Sequence, residues 1–201
     1  MLRLLAASSR SSACASAVRL SRGFHASARS SVSVGDSLPD LPLFKGSPGE
    51  QVNLAKELTG KGLIIGVPAA FSPACSSSHI PGYINSPKLK DAGSVVVVSV
   101  NDPFVMKAWA TSLDPNGKSG IRFLADTHGA FTNALDLSFD SKKIFGNDRS
   151  KRYALEVENG KVKAVHVEPD NTGVNGKLDV PSFDSSIANT HVVSAAEKVL
   201  G

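Results

Sequence analysis

The 201-residue chain is long enough for one domain with a substantial core, and its composition, 41% hydrophobic and 20% charged, is that of an ordinary globular protein. The formal net charge of +4 arises in the first 35 residues, which contain five Arg, no Lys and no acidic residue. The rest of the chain carries 17 basic against 18 acidic side chains, a net charge of −1, so its charge favours neither a nucleic-acid nor a membrane partner.

Residues 1–31 have the features of a mitochondrial transit peptide, because they are rich in Arg, Ser and Ala and contain no acidic side chain. Their apolar runs are too short, and too often interrupted by Arg, for a transmembrane helix. The segment 22–27, R-G-F-H-A-S, is similar to a matrix processing site and predicts a mature chain that begins near Val32. We therefore expect a domain at 32–201 in the mitochondrial matrix; the alternative is a basic tail without a targeting role.

The first half of the domain predicts strands that alternate with helices. An extended segment at 32–42 and a short polar helix or turn at 53–61 precede an apolar run at 62–67, which predicts a buried strand that Pro68 ends. Pro73 suits the start of a helix that contains Cys75. The run 94–100, S-V-V-V-V-S-V, predicts a strand buried on both faces, and Pro103 begins a helix to about Ser112.

The second half predicts a further strand, a short helix and a hairpin. Residues 121–125 form the strand, and 126–129 cap a helix that runs to about Leu135. The alternating runs 153–157 and 162–167 flank Asn159-Gly160, which is a strong hairpin signal. A polar loop at 168–180 and an amphipathic helix at 187–200 complete the chain. Strands and helices in this order, with a late hairpin, predict an α/β fold.

Cys75 is the residue whose position most strongly suggests chemistry. The first turn of a helix presents unpaired N–H groups and partial positive charge, which favour the thiolate, and the thiolate is the nucleophilic form of the side chain. Small polar residues at 76–78 predict an open site. The alternative interpretation is an inert buried thiol, which is the commoner role of an isolated Cys. The other cysteine, Cys14, lies in the leader, so the mature chain cannot form an internal disulfide and has no C-x-x-C pair.

Residues 68–75, P-A-A-F-S-P-A-C, resemble the P-G-A-F-[ST]-P-x-C signature of the peroxiredoxin-5, or type II, group of peroxiredoxins. Residues 78–83, S-H-I-P-G-Y, are similar to the continuation of that signature, and Ala69 stands where the group has Gly. The resemblance extends over 34–200. It implies a thioredoxin-like α/β fold with a central mixed sheet flanked by helices. It also implies a thiol peroxidase that reduces hydrogen peroxide and alkyl hydroperoxides through a Cys75 sulfenic acid, in antioxidant defence and redox homeostasis.

The same resemblance assigns the catalytic residues. Cys75 is the nucleophile, the Ser72 hydroxyl accepts from the peroxide and donates to the thiolate, and Pro68 forms a dry wall beside the sulfur. The arginine that precedes a late strand in the family pattern corresponds to Arg152, because Arg152 directly precedes the strand that leads to the Asn159-Gly160 turn. Arg149 is the neighbouring alternative, and an exposed Arg at a strand end is the interpretation without the resemblance.

Sulfenic acid must be reduced by a second thiol. Many members of the family carry that thiol after a segment like 167–173, V-E-P-D-N-T-G, but no Cys follows it here. We therefore predict a one-cysteine mechanism in which glutathione with glutaredoxin, or thioredoxin, regenerates the enzyme. The resemblance further implies a homodimer. No cofactor is expected, and no metal, because a Cys75–His79 pair supplies only half of a typical zinc site.

Two other functions remain open on the sequence. Cys75 and His79 lie four residues apart on one predicted helix, so they could form the nucleophile and base of a hydrolase, although the favoured interpretation of His79 is a helix-packing residue. A non-enzymatic redox sensor with the same fold is the other alternative.

Overall fold

The computed structural model describes residues 31–168, so the predicted leader, the loop after Glu168 and the helix at 187–200 lie outside the described residues. Nine strands are present in that range: β1 (Leu43–Phe44), β2 (Gln51–Val52), β3 (Lys61–Val67), β4 (Ser94–Ser99), β5 (Arg122–Ala125), β6 (Ser138–Phe139), β7 (Arg149–Ser150), β8 (Tyr153–Glu158) and β9 (Lys161–Val167). The α-helices described are α1 (Leu54–Glu57), α2 (Ile80–Ile84), α3 (Pro103–Leu113), α4 (Ala130–Ala134) and α5 (Lys142–Phe145).

Seven strands form one sheet in the order β2-β1-β5-β4-β3-β8-β9, and β6 pairs with β7 separately. The strands β3, β4 and β5 run parallel, whereas β8 pairs antiparallel with β3, and β9 with β8. This mixed sheet confirms the predicted thioredoxin-like α/β fold. The loops that follow three parallel strands lie at one edge of a sheet, so the segment after β3, which contains Cys75, lies beside those after β4 and β5.

Both faces of the sheet are covered, which explains why β4 is apolar throughout. Side chains alternate between the faces along a strand. In β4, Val96 and Val98 belong to the core that includes Leu54 and Phe131. Val95 and Val97 belong to the core on the other side, with Cys75, Tyr83, Met106 and Trp109.

Two carboxylates accept hydrogen bonds from the first turns of helices. Asp102 accepts hydrogen bonds from the N–H groups of Phe104 and Val105 and caps α3, with Pro103 as its first residue. Asp126 is buried and accepts from the N–H groups of Phe131 and Thr132 in α4. These carboxylates lie at the sheet edge to which Cys75 also belongs.

The helix predicted from Pro73 differs from the expected α-helix. Residues Cys75–His79 form a π-helical turn, in which the N–H of Ile80 donates to the carbonyl of Cys75, and α2 begins only at Ile80. The Ser77 and Ser78 hydroxyls donate to the carbonyls of Pro73 and Ala74, four residues earlier. These hydroxyls compete for acceptors of the α-helical pattern, and Pro81 has no N–H to donate, so the wider turn has a local cause.

Gly66 is a position where this fold leaves no room for a side chain. It lies opposite Tyr153 in the β3–β8 pair, and a Cβ atom there would overlap the buried Tyr153 ring. We expect Gly66→Ala to lower the free energy of unfolding by about 1–3 kcal/mol or more, because the ring has to leave its packed position. Urea denaturation followed by circular dichroism measures the change.

Gly82→Ala is the matched control, since no atom lies within 4 Å of the Cβ that it would add on α2. Alanine in a helix is favoured over glycine, so this variant should be unchanged or more stable by up to about 1 kcal/mol. Equal stability of the Gly66→Ala and Gly82→Ala proteins would contradict the packing described for Tyr153.

Candidate active site

The sulfur of Cys75 lies 3.4 Å from Nη1 of Arg152, and this contact defines the candidate active site. Both side chains are buried, with Cys75 0% and Arg152 1% exposed. The open site expected from the small residues at 76–78 is therefore wrong. Ile80 and Tyr83 belong to the same core as the sulfur and are also buried, so Cys75 faces inward, whereas Ser77 and Ser78 are exposed.

The hairpin of β8 and β9 places Arg152. The first residue of β8, Tyr153, pairs with Gly66 near the end of β3, so the preceding residue, Arg152, reaches the sheet edge from which the Cys75 loop departs. By contrast, Arg149 donates from Nη1 to the carbonyl of Val100 at 2.6 Å and from Nε to Asn147, and its guanidinium lies over the Phe145 ring. The structure thus brings Arg152, and not Arg149, to Cys75.

Glu168 is a member of the site that the sequence analysis did not identify. Its carboxylate lies 3.1 Å from Nε of Arg152, both side chains are almost fully buried, and its N–H donates to the Arg152 carbonyl at 2.9 Å. The hairpin register could have indicated this contact, because Tyr153 pairs with Val167 and the residues outside that pair are Arg152 and Glu168. A buried ion pair of this kind fixes the plane of the guanidinium.

His79 also binds the guanidinium and is neutral. Its Nδ1 lies 2.8 Å from Nη1 of Arg152, and since arginine only donates, Nδ1 accepts and the imidazole proton is on Nε2. Burial, and secondarily the positive charge of Arg152, lower the pKa of His79 to about 3. The ring packs edge-on against Tyr83, at 5.4 Å between centroids.

This geometry does not support the hydrolase alternative. A base for Cys75 would need a hydrogen bond to the sulfur, and the structure places none between Cys75 and His79 within residues 31–168. The acceptor nitrogen of His79 is occupied by Arg152 instead. His79 is therefore a packing residue that also accepts a hydrogen bond from Arg152.

Ser72 and Pro68 lie in the loop between β3 and the π-turn. The Ser72 hydroxyl donates to the carbonyl of Ala69 at 3.0 Å rather than to Cys75, so the expected bond to the thiolate is absent from the described contacts. Its lone pairs remain able to accept from a ligand. Pro68 is buried, as a dry wall requires. Asn101 holds the loop from outside, because its Oδ1 accepts from the N–H of Ala70 at 3.0 Å.

Phe71, in the same loop, has an unusual backbone conformation. Its φ is 59°, which is rare for a bulky residue, and its side chain is 53% exposed. Strain of this kind persists only where the surrounding contacts impose it, and it concentrates at functional sites. The loop is therefore held in a defined shape beside Cys75.

Trp109 connects α3 to the reactive turn. Its indole N–H donates to the Ser76 hydroxyl at 3.0 Å, one residue from Cys75, and its ring packs edge-on against Phe123. Trp109 is therefore a packing residue that joins α3 to this turn. Because Trp109 is the only tryptophan of the chain, its fluorescence reports directly on the turn that carries Cys75.

The site combines a nucleophilic sulfur, a fixed cation and a serine acceptor in a space largely closed to water. Within residues 31–168, no group of three His, Cys, Asp or Glu side chains could hold a metal ion. No helix in that same part of the chain is both long and apolar enough to cross a membrane. The arrangement suits attack by sulfur on an electrophile whose leaving group develops negative charge.

Comparison with known proteins places these residues in a family. A sequence model of the redoxin family matches residues 33–187. The peroxisomal membrane associated protein 20 of Schizosaccharomyces pombe is 44% identical over 161 residues, covering 79% of this chain and 99% of its own. Peroxiredoxin-2C of Oryza sativa is 44% identical over 68% of this chain and 88% of its own. The crystal structure of peroxiredoxin 5 from Alvinella pompejana has a TM-score of 0.64 and 39% identity, covering 70% and 92% of the two chains.

The neutral His79 makes stability depend on pH. Its pKa in the folded protein, about 3, lies below the ordinary value of 6.5, so as the pH falls the unfolded chain takes up this proton first. The stability that the neutral ring contributes is complete above pH 6.5 and is lost progressively as the pH falls toward 3. We expect the free energy of unfolding to fall by up to about 1.4 kcal/mol more per pH unit in the wild type than in His79→Asn.

Urea denaturation at pH 7.5, 6.0 and 5.0 measures this difference in slope. His128→Asn, a change at an exposed histidine, is the control and should retain the wild-type slope. Parallel slopes for wild type and His79→Asn would show that His79 is not held neutral.

Proposed function

The chain belongs to the redoxin family and is a type II peroxiredoxin, a thiol-dependent peroxidase of antioxidant defence, and from that premise we propose which residues carry its chemistry. Cys75 is the peroxidatic nucleophile, Arg152 stabilises charge at the reacting atoms, Ser72 accepts a hydrogen bond from the peroxide, and Pro68 shields the sulfur from water. The observation that carries this proposal is the 3.4 Å contact between the Cys75 sulfur and the Arg152 guanidinium, with both groups buried.

In the first step the Cys75 thiolate attacks the terminal oxygen of a hydroperoxide. The S–O bond forms as the O–O bond breaks, the sulfur is oxidised to sulfenic acid, and the peroxide is reduced to an alkoxide or hydroxide that takes a proton from solvent. Arg152 bears a permanent charge, so its N–H groups favour both the thiolate and the negative charge that grows on the leaving oxygen. Its contacts with His79 and Glu168 hold these donors in place before the peroxide arrives.

In the second step an external thiol reduces Cys75. The thiol displaces water from the sulfenic acid to form a mixed disulfide, and a second thiol then releases Cys75 as the free thiol and leaves as a disulfide. The domain proposed at 32–201 contains Cys75 as its single cysteine, since Cys14 lies in the leader, so it supplies no resolving thiol of its own. Glutathione with glutaredoxin, or thioredoxin, is proposed as the reductant, and hydrogen peroxide and alkyl hydroperoxides as the oxidants.

Reduction also requires that the buried sulfur become accessible. The Cys75–His79 turn is the element suited to open, since the Ser77 and Ser78 hydroxyls donate only to nearby backbone carbonyls and its π-helical pattern is less regular than that of α3. The bond from Trp109 to Ser76 would break on opening, which makes tryptophan fluorescence the signal of this step.

The test compares peroxide turnover in Cys75→Ser, Arg152→Ala and Arg152→Lys, with glutathione/glutaredoxin and with thioredoxin in parallel. Cys75→Ser should be inactive. Arg152→Ala should lose about two to three orders of magnitude in kcat/KM for peroxide, equal to roughly 3–4 kcal/mol of transition-state stabilisation. Arg152→Lys should recover only part, because lysine lacks the planar fork that reaches Cys75, His79 and Glu168 together.

Arg122→Gln, which removes a half-exposed arginine paired with Glu57, is the control and should retain wild-type turnover. Mass spectrometry after peroxide and glutathione should find the glutathione adduct on Cys75. Turnover of Arg152→Ala within fivefold of wild type would overturn the role given to the guanidinium. Peroxide consumption that stops after one equivalent despite excess reductant would favour the sensor alternative.

We also propose that residues 1–31 direct the protein to the mitochondrial matrix and that 32–201 forms a homodimer. The family match begins at residue 33, beyond the arginine-rich segment. A fusion of residues 1–31 to a reporter should enter isolated mitochondria, and replacement of Arg3, Arg10, Arg19 and Arg22 by Gln should prevent import. Delivery of the fusion to peroxisomes, which the name of the Schizosaccharomyces pombe relative suggests for that protein, would contradict the proposal.

Sedimentation equilibrium of residues 32–201 determines the oligomeric state and tests the proposed homodimer.

A further inference from the structure

A cavity of about 360 Å³ lies at the sheet edge where Cys75 is found. Its walls come from Val100 after β4, from the segment 127–129 after β5, and from residues between Lys142 and Arg149. Because β3, β4 and β5 are parallel, the segments that follow them are neighbours. The catalytic scheme above does not use this cavity.

The side chains around the cavity are mainly polar, and they include two permanent cations and one carboxylate. His128, Lys142 and Arg149 line it, and its acidic lining residue, Asp148, lies 3.4 Å from the Lys142 ammonium. Arg149 is the best fixed of these groups, since Val100 and Asn147 accept from Nη1 and Nε and the Phe145 ring lies beneath it. Its Nη2 has no acceptor within residues 31–168. Burial lowers the pKa of Arg149, so a bound anion would offset a desolvation that the folded chain leaves only partly compensated.

A buried hydroxyl in the same wall also lacks a partner. Thr132 is 0% exposed, it lines the cavity, and its Oγ1 makes no hydrogen bond to a residue of the described part. The N–H groups at the start of α4 are not available to a ligand, because those of Phe131 and Thr132 donate to Asp126. These two backbone donors are thus occupied, and the guanidinium of Arg149 is the fixed charged donor in the wall of this cavity.

We propose that this cavity binds a carboxylate of the small thiol that reduces Cys75. The inference rests on the proposed one-cysteine mechanism. A carboxylate suits the site because guanidinium groups bind carboxylates with parallel, charge-assisted hydrogen bonds. Arg149 and Arg152 are three residues apart, so their Cα atoms lie within about 11 Å of each other. The cavity and the site of Cys75 are therefore close along the sheet edge. A small thiol such as glutathione, which carries its sulfur on the middle residue of a tripeptide and a carboxylate at each end, would hold a carboxylate at Arg149 while its sulfur approaches the opened Cys75.

Direct binding provides the first test. S-Methylglutathione, which cannot react with Cys75, is titrated by calorimetry into the full chain, and its dimethyl ester provides a comparison that lacks both carboxylate charges. We expect Arg149→Gln to weaken binding of the free acid about tenfold or more, the effect of removing one charged hydrogen-bonding partner. Lys118→Gln loses the same charge in the exposed loop before β5 and should bind as the wild type does. Equal binding of acid and ester, or equal binding by wild type and Arg149→Gln, would overturn the inference.

Kinetics provide the second test. The kcat/KM for glutathione should fall about tenfold in Arg149→Gln through a higher KM, whereas the value for the uncharged reductant dithiothreitol should change far less. A carboxylate-bearing hydroperoxide and its methyl ester are compared in parallel. If Arg149→Gln discriminates between these peroxides and not between the two thiols, the cavity serves the oxidant and the inference is wrong.

Further measurements separate a loss of binding from a loss of stability, and the binding site from the proposed reductant. If Arg149→Gln unfolds at lower urea than the wild type, Arg149→Lys and Lys142→Gln replace it, since each alters the charge or geometry of the cavity by a smaller change. Failure of glutathione to reduce wild-type Cys75, with S-methylglutathione still bound through its charge, would reject the proposed reductant but keep the site. If glutathione turnover is normal but the acid and the ester of S-methylglutathione bind equally, the carboxylate site in this cavity is rejected. The proposed glutathione-dependent peroxidase activity is then kept.

Discussion

One buried guanidinium organises the active site. Arg152 contacts the Cys75 sulfur and His79 through Nη1 and the Glu168 carboxylate through Nε. A positive charge removed from water is costly unless it is paired, so Glu168 makes the burial of Arg152 possible, and burial in turn strengthens every interaction that Arg152 makes with the sulfur. The charge of Glu168 balances that of the arginine, and the neutrality of His79 prevents a second positive charge from competing for Cys75.

The sheet makes this arrangement rigid without any contribution from the loop that carries Cys75. Arg152 and Glu168 lie on adjacent strands of one hairpin and are joined by a backbone hydrogen bond. Tyr153, the next residue, packs against Gly66, which fixes the hairpin to β3. The cation is thus set by main-chain register, whereas Cys75 lies on a π-helical turn that can rearrange. Such a division suits a cycle in which the sulfur must be held for peroxide and then released to a reductant.

The sequence predicts those parts of the fold and of the active site that depend on short local patterns. The valine run of β4, the Asn159-Gly160 turn and the Pro103 start of α3 determine their elements almost alone, and the motif at 68–75 identified Cys75. Arg152 was distinguished from Arg149 only by the resemblance to a family and by its place directly before a strand. The π-turn was missed because it results from several weak effects, namely seryl hydroxyls that compete for carbonyls and a proline without an N–H. The burial of Cys75 was missed because small neighbours in the sequence do not reveal which way a side chain faces.

Glu168 and His79 show why contacts across the fold are the hardest to predict. Neither residue has a composition or spacing that distinguishes it from a surface acid or a packing histidine, and each acquires its role from Arg152, which is 16 and 73 residues away in the chain. The two arginines beside them demonstrate the same point. Arg149 and Arg152 lie in one short segment, yet Arg152 is paired with an acid and faces a sulfur, whereas Arg149 rests on an aromatic ring with a donor directed to no residue of the described chain. A cation neutralised within the protein can stabilise a reaction, while a cation that keeps a free donor can bind a ligand, so equal side chains three residues apart are suited to different tasks.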